Sequence, residues 1–276
     1  MRTLTRRQAL TTLGAGVLSA TRLAAQDAPL EFAAIDHVEF YVSQVERTRD
    51  FLARIFGATL LRNAAASKSY LKVGSSYLAF ERPRAAGAPL TTDHVSMAIR
   101  NIDMARVHTL LDTRGIAYRD YPSGRDTAIV DADGIRTQLS PEDGWNLLRP
   151  PTFVPDALTL ADTAVFRPTG IEHVLLNVAD PEASVRFYEK VLGPVTQRSN
   201  DRIWFKVGRS RLGLLKTRDG QRTGVNHFCV SAEPFAYDAA VARLAALGVK
   251  VEAAEVPGSP SFRDPDGMLM QVNTAR

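Results

Sequence analysis

The chain has 276 residues, of which 45% are hydrophobic and 23% charged, with one cysteine and a formal charge of +4. That length allows two ordinary domains, each with its own core, and the composition excludes a low-complexity, collagen-like or disulfide-stapled chain. The lone cysteine, Cys229, lies in an apolar stretch and reads as a small buried hydrophobe.

The excess of positive charge is concentrated at the start. Residues 1–25 hold four arginines and no acid, which leaves residues 26–276 formally neutral. The high pI is therefore no argument for nucleic-acid or membrane binding. Thr5-Arg6-Arg7-Gln8-Ala9-Leu10 resembles a twin-arginine export signal, Leu10 to Ala20 is mildly apolar, and Leu23-Ala24-Ala25 offers a small-residue cleavage site. The run is too short for a membrane span. Residues 1–25 are expected to be a signal peptide, and the mature protein is expected to be periplasmic or secreted.

The first strand is expected at residues 35–42, with a histidine near its start: Ile35-Asp36-His37-Val38-Glu39-Phe40. Ser43-Gln44-Val45-Glu46 reads as a capping box opening a helix that buries Phe51, Leu52, Ile55 and Phe56 and stops at Gly57. Strands are expected at 59–62, 69–73 and 77–81. A second unit opens at His94, with Asn101 as helix N-cap, a stop at Gly115, and strands near 117–121, 127–131 and 135–140 around an Asp133-Gly134 turn. Residues 141–168 contain a third of the prolines and read as a connector, packed in part through Trp145 and Phe153. The third unit opens at His173. Asp180-Pro181-Glu182 starts its helix, Phe187, Tyr188, Val191 and Leu192 form the buried stripe, and Gly193 ends it. The fourth opens at His227, with a helix from Pro234 to Gly248 and strands at 249–253, 261–263 and 268–273.

Four of the five histidines thus occupy one repeated position; the fifth, His108, falls mid-helix and reads as a surface residue. His37 and His94 are 57 residues apart, His173 and His227 are 54 apart, and a glutamine follows His94 and His227 at the same distance of 44. Tyr70-Leu71-Lys72-Val73-Gly74 also matches Trp204-Phe205-Lys206-Val207-Gly208. Repetition at two levels implies four modules arranged as two pairs.

The histidine-led strands, the helix text Ser184-Val185-Arg186-Phe187-Tyr188-Glu189-Lys190-Val191-Leu192-Gly193 and the final Asp264-Pro265-Asp266-Gly267-Met268-Leu269-Met270-Gln271 resemble the vicinal oxygen chelate superfamily. Asp131-Ala132-Asp133-Gly134-Ile135-Arg136-Thr137-Gln138 is a weaker copy of the last. That superfamily includes glyoxalase I, extradiol dioxygenases and the fosfomycin- and bleomycin-resistance proteins. The resemblance implies an α+β fold of four βαβββ modules, paired into two half-open β-barrels, or cups, with helices outside. The expected organisation is a first domain at 30–141, a Pro-rich connector at 142–168 and a second domain at 169–276.

The resemblance also implies metal ligands: His37, His94 and Gln138 in the first cup, and His173, His227 and Gln271 in the second. The last-strand ligand of metal-dependent members is usually Glu; here it is Gln in both cups. The remaining ligand position of glyoxalase I falls near Ala79 and Gly213, which cannot ligate. Two imidazoles and one oxygen suit a catalytic divalent metal such as Fe2+, Zn2+, Mn2+ or Ni2+. A neutral Gln leaves the full charge on the ion, which favours Lewis-acid chemistry over redox cycling.

Strand alternation places Glu39, Ser96 and Arg136 on the ligand faces, with Tyr70, Lys72 and Tyr77 lining the first cup and Trp204, Lys206 and Arg211 the second. Glu39 is the candidate general base or extra ligand, and Lys206 and Arg211 are the candidate cations for an anionic oxygen. Three functions stay open. One is a metal-dependent isomerase or lyase acting on a small oxygen-rich molecule, and another an extradiol-type Fe2+ dioxygenase. The third is a metal-free small-molecule binding protein. Extradiol enzymes use further histidines around the metal ligands and a tyrosine near the last strand. This chain has no histidine between 173 and 227 or after 227, and Ser261 stands near the tyrosine position. The expected partner is a small-molecule substrate, with neither nucleic acid nor, after signal removal, membrane, and the chain acting as monomer or homodimer.

Overall fold

The computed structural model describes residues 30–275, apart from 58, 157–163, 200 and 253–255, so the expected signal peptide lies outside the described residues. The first half runs β1 (Phe32–Tyr41), α1 (Val45–Phe56), β2 (Leu60–Asn63), β3 (Lys68–Val73), β4 (Ser76–Glu81), β5 (Thr92–Ile99), α2 (Met104–Thr113), β6 (Tyr118–Asp120), β7 (Thr127–Val130) and β8 (Arg136–Pro141). A short 3-10 turn (Gly144–Leu147) and β9 (Phe153–Pro155) follow. The second half runs β10 (Pro168–Val178), α3 (Pro181–Leu192), β11 (Gln197–Ser199), β12 (Arg202–Val207), β13 (Ser210–Lys216), β14 (Gly224–Ala232), α4 (Tyr237–Ala246), β15 (Val251–Glu252), β16 (Ser261–Arg263) and β17 (Leu269–Thr274). Among the described residues no helix is long and apolar enough to cross a membrane.

The strands form two open sheets, ordered β6-β7-β8-β5-β1-β4-β3-β2-β9 and β11-β12-β13-β10-β14-β17-β16-β15. Without β9 the two orders are copies of each other. Each sheet centres on an antiparallel pair of histidine-bearing strands, β1 with β5 and β10 with β14. This is the expected α+β arrangement of two cups, neither closed into a barrel. Both cups form within one chain.

Both faces of β1 are covered, because one face lines a cup while the other meets the core. Val38 and Phe40 point into a continuous apolar core that takes in both sheets and the helices. Phe40 meets Phe228 of β14 at 6.0 Å between ring centroids, and Phe51 of α1 meets Phe262 of β16 at 6.3 Å. The two sheets therefore share one hydrophobic interior, with the cups opening away from it.

Reciprocal hairpins lock the halves. The β3–β4 turn reaches the second half, where Ser75 N donates to Thr169 O at 3.1 Å, and the β12–β13 turn reaches the first, where Arg209 N donates to Ala33 O at 2.9 Å. Ser76 Oγ donates to Ile35 O at 2.8 Å and accepts from Ile171 N at 3.3 Å. Ser210 Oγ does the converse, donating to Ile171 O at 2.6 Å and accepting from Ile35 N at 3.0 Å. Two serines thus satisfy the backbone where β1 and β10 would otherwise lose their ladder partners.

The Asp-x-Asp-Gly turns make a second pair of cross-links. Asp133 accepts from Ala179 N just past β10, and Asp266 accepts from Ser43 N at 2.8 Å and Ser43 Oγ at 2.6 Å just past β1. This corrects the expected capping box. The Ser43 side chain is spent on the other half, Gln44 is the N-cap of α1, and it makes no side-chain cap hydrogen bond. Asn101 is likewise displaced as cap by Asp103, whose carboxylate accepts from Ala105 N and Arg106 N. Helix α4 starts at Tyr237, three residues after Pro234. The Asp180 cap, the Gly57 stop in the left-handed region and the Gly193 stop stand as read.

The turns differ at one buried atom. Asp131 Oδ2 accepts from the Tyr188 hydroxyl of α3 at 2.9 Å. In α1 the equivalent position is Leu52, and Asp264 Oδ2 has no hydrogen-bond partner among the described residues. Burial pushes the Asp264 carboxyl up to about 6, against the pull of backbone N–H donors. Its folded pKa lies above the ordinary carboxylate value, so the fold binds a proton more tightly than the unfolded chain does. The stability this group contributes is complete below about pH 4 and is lost as pH rises through about 6, on the order of 2–3 kcal/mol. Asp264→Asn keeps the Oδ1 acceptor and removes the charge. Its melting temperature is expected to gain on the wild type between pH 4.5 and 7; a gap that stays flat or narrows over that range would refute the assignment.

Candidate metal centre

The floor of the first cup is built by β1 and β5. Their antiparallel register sets Glu39 opposite His94, and alternation brings His37 to the same face. His37 Nε2 and His94 Nε2 lie 3.0 Å apart, and His94 Nε2 is 4.0 Å from Glu39 Oε2. The ligand atoms of these three buried residues all fall within 4.8 Å of one another. They line a cavity of about 410 Å³ with Tyr70, Tyr77, Tyr121, Gln138 and Arg136.

Each histidine is oriented by the residue before it. His37 Nδ1 donates to Asp36 Oδ2 at 2.7 Å, and Asp36 is itself held by Gly144 N at 2.9 Å. His94 Nδ1 donates to Asp93 Oδ2 at 2.7 Å, and Asp93 also accepts from the Tyr41 hydroxyl at 2.5 Å and pairs with Arg136. In the second cup His173 Nδ1 donates to Glu172, and His227 Nδ1 donates to Asn226 Oδ1 at 2.8 Å. A proton acceptor one residue before each of four histidines favours the tautomer protonated at Nδ1, which leaves Nε2 as a lone pair facing the cup; at His94 the Arg136 guanidinium also lies 3.3 Å from Nδ1. The signal was in the text as Asp36, Asp93, Glu172 and Asn226, and sequence reasoning missed it.

Burial lowers both imidazoles of the first cup; Asp36 only partly offsets this for His37, and Glu39 for His94. Two neutral Nε2 lone pairs 3.0 Å apart repel each other unless a cation lies between them. Two nitrogens, each ~2.1 Å from one ion and about 90° apart, would be separated by about 3.0 Å. Glu39 completes the donor set. Burial alone would raise its carboxyl, but Lys68 and His94 outweigh burial and hold it below the ordinary range, ionised. These residues fit a divalent metal.

The second cup repeats the histidines without the carboxylate. His173 Nε2 and His227 Nε2 are 3.1 Å apart, but Leu175 stands where Glu39 does. Leu175 packs with Trp204 and Leu215, and the Trp204 ring meets His173 edge-on at 5.2 Å. Burial, then the neighbouring His173 and Arg202, pulls His227 down to about 3. Against its burial, Glu172 is pulled down to about 2 by His173 and Arg211. Glu172, His173 and Cys229 bring ligand atoms together, but Glu172 is already engaged by Arg211 and burial pushes the Cys229 thiol up, so it stays protonated.

The other expected positions divide. Tyr70, Tyr77 and Arg136 line the first cavity, and Gln138 sits in it, donating to Asp126 Oδ2 at 2.6 Å. Gln271 is buried in β17 beside Cys229 in the register. Lys72 does not reach the histidines: its ammonium lies 5.5 Å from the Trp145 ring centroid and it lines a separate cavity of about 290 Å³. Lys206 is exposed at the far end of β12. Arg211 serves Glu172 and stacks over Trp204 at 4.5 Å. His108 is a surface group, stacked on Tyr118 and bonded to Asp120 at 2.9 Å. Lys68, unread in the sequence, contacts the Glu39 carboxylate.

The connector is part of the site. Trp145 packs on Tyr77, Phe153 packs edge-on against Tyr70 at 5.2 Å, and β9 adds itself to β2 as a ninth strand. Phe153 and Leu148 thereby wall the cavity.

Residues 170–272 match the family model described as the Glyoxalase/Bleomycin resistance protein/Dioxygenase superfamily. The solved structure of the 2,3-dioxygenase LapB from Pseudomonas sp. KL28 is similar over 90% of this chain and 94% of its own, with a TM-score of 0.69 and 14% identity. The Mn(II)-bound glyoxalase from Novosphingobium aromaticivorans is similar over 89% and 83%, with a TM-score of 0.65 and 15% identity. Homoprotocatechuate 2,3-dioxygenase from Brevibacterium fuscum, solved with 3,4-dihydroxyphenylacetate, is similar over 90% and 82%, with a TM-score of 0.67 and 13% identity. Both halves of the chain have the vicinal oxygen chelate fold, and the second half carries the superfamily's sequence pattern.

Proposed function

We propose that the first cup is the working site of a metal-dependent enzyme of isomerase or lyase type, which takes a small molecule with vicinal oxygens. His37, His94 and Glu39 would hold a divalent cation, with Gln138 beside them. The observation that carries this reading is the pair of oriented Nε2 lone pairs 3.0 Å apart next to an ionised carboxylate. When bound, such a cation supplies Lewis acidity to substrate oxygens. The residues of this chain supply the rest. Burial holds the Tyr70 and Tyr77 hydroxyls far above their usual pKa, so both stay protonated; Tyr77 is engaged with Asp36, and Tyr70 is the donor left for an oxygen that gains negative charge. Arg136, held by Asp93, and Arg84 at the rim are the cations within reach of a substrate oxygen, and Phe153 and Leu148 add apolar wall. Export through a twin-arginine route, as the first 25 residues suggest, would suit a protein that acquires its metal before leaving the cytoplasm.

Metal content measured after reconstitution with Mn2+, Fe2+, Ni2+ or Zn2+ tests the reading. About one ion per chain is expected, and none in a His37→Ala, His94→Ala double variant. No bound ion in the wild type, or unchanged content in the variant, would sink it.

Oxygen-dependent ring cleavage is the second reading, favoured by the fold likeness to two 2,3-dioxygenases. It predicts oxygen uptake with catechols under Fe2+. Against it, Leu175, Trp204 and Leu215 fill the second cup, and among the described residues no third histidine stands there.

A further inference from the structure

Glu39 has one close neighbour that the proposed chemistry does not use. Lys68 opens β3, and its ammonium contacts Glu39 Oε2. The pair is largely removed from water: the Lys68 side chain is 17% exposed and that of Glu39 7%. The lysine passes beside the Tyr70 ring, with Nζ 5.4 Å from its centroid. Oε2 is also the carboxylate oxygen that lies 4.0 Å from His94 Nε2. A cation therefore already occupies the one anionic oxygen that faces the two imidazoles. A second, divalent positive charge cannot be added there without strong repulsion, because a poorly solvated cavity screens it weakly.

The second cup supports the pairing by contrast. Leu175 replaces Glu39, and Arg202 stands at the position of Lys68, close enough to His227 to lower its basicity. A cation thus flanks the histidines in both cups, and Glu39 stands beside it only in the first, where the second has Leu175.

We propose that Lys68 is an internal competitor for the metal of the first cup: its ammonium holds Glu39 Oε2 and must leave that oxygen before a divalent ion can bind there. The lysine neutralises a buried carboxylate and sets the affinity threshold for metal binding. This inference rests on the reading of the first cup as a metal site.

The test is calorimetric titration of Mn2+ and Zn2+ into metal-stripped full-length protein, with thermal unfolding recorded on the same samples. Lys68→Met is expected to bind both ions at least about tenfold more tightly than the wild type. It is also expected to melt below the wild type without ion, because Glu39 is left buried and unpaired, and to gain more from added ion. Lys68→Gln, which keeps a donor for Glu39 without the charge, should bind more tightly in the same way and covers the case in which Lys68→Met does not fold. Lys68→Arg should bind as the wild type does, and so should Lys72→Met, whose side chain faces Trp145. Equal or weaker binding by both neutral variants overturns the competitor role and leaves the metal site standing. Absence of binding by every protein, wild type included, overturns the metal reading and this inference with it.

Discussion

Gly208→Ala is expected to destabilise the protein by about 3–4 kcal/mol and to lower its melting temperature by roughly 10 °C. Two costs combine. Gly208 has φ +59°, where a side chain costs ~1 kcal/mol or more. An added Cβ would also stand 2.0 Å from the Ala33 carbonyl oxygen, which is backbone and cannot rotate away. Gly74 is the counterpart, with φ +64° and a Cβ position 2.0 Å from Thr169. Gly248 separates the two costs: its φ is +74°, but nothing lies within 4 Å of its Cβ position. Gly248→Ala should therefore lose only about 1 kcal/mol. Urea unfolding of Gly208→Ala, Gly74→Ala and Gly248→Ala decides the matter, and equal losses at 208 and 248 would mean that the hairpin contact between the halves carries little. Because Ala33 lies near the start of β1, four residues before His37, displacement at Gly208 should also disturb His37.

The fold was legible because its period is written in chemistry as well as hydrophobicity. Four histidines at one strand position, glutamines at one distance from two of them and glycines at helix ends placed every module. Failures cluster where the two halves touch. Ser43 and Glu46 form a correct local capping signal, yet the Ser43 hydroxyl is taken by Asp266, 223 residues away; no local reading contains that competitor. Phe153 and Trp145 were legible as packed residues, but β9 forms only because β2 presents a free edge to it. At the site, Tyr70 and Tyr77 line the cavity with Lys68, and alternation gives the face of each side chain but not how far along the strand the cavity reaches. Lys72 lies on the expected face yet beyond Trp145, and Lys68, one residue outside the predicted strand, reaches the centre.

The greater change concerns which half carries the chemistry. The sequence treats the cups as equals, each with two histidines and a glutamine. Among the inward differences, the one that changes the donor set is Glu39 against Leu175, and the volume around it changes with it. In the second cup a Cβ on Gly213 would stand 2.6 Å from both Leu175 and Trp204, so these side chains already fill the space. The pairing of a small residue on the parallel neighbour with a large one on the histidine strand could not be read without the β10–β13 register, in which Leu175 faces Gly213.

Glu39→Leu, which gives the first cup the side chain found in the second, is expected to weaken divalent-metal binding by at least about a hundredfold, ~3 kcal/mol. The carboxylate is the one negative ligand in the set, and near-contact attraction between it and a divalent charge is worth several kcal/mol even at an effective dielectric of about 20. Two neutral imidazoles cannot replace it. The substitution also frees the Lys68 ammonium inside the cavity, where it repels any cation that the histidines attract. His173→Ala should leave metal content near one ion per chain, since Leu175 and Trp204 already deny the second cup a ligand and room. Equilibrium dialysis against Mn2+ or Zn2+, with both variants beside the wild type, gives the answer in one measurement. If His173→Ala loses the ion and Glu39→Leu keeps it, the working site is the second cup, and its two imidazoles hold metal without an inward carboxylate.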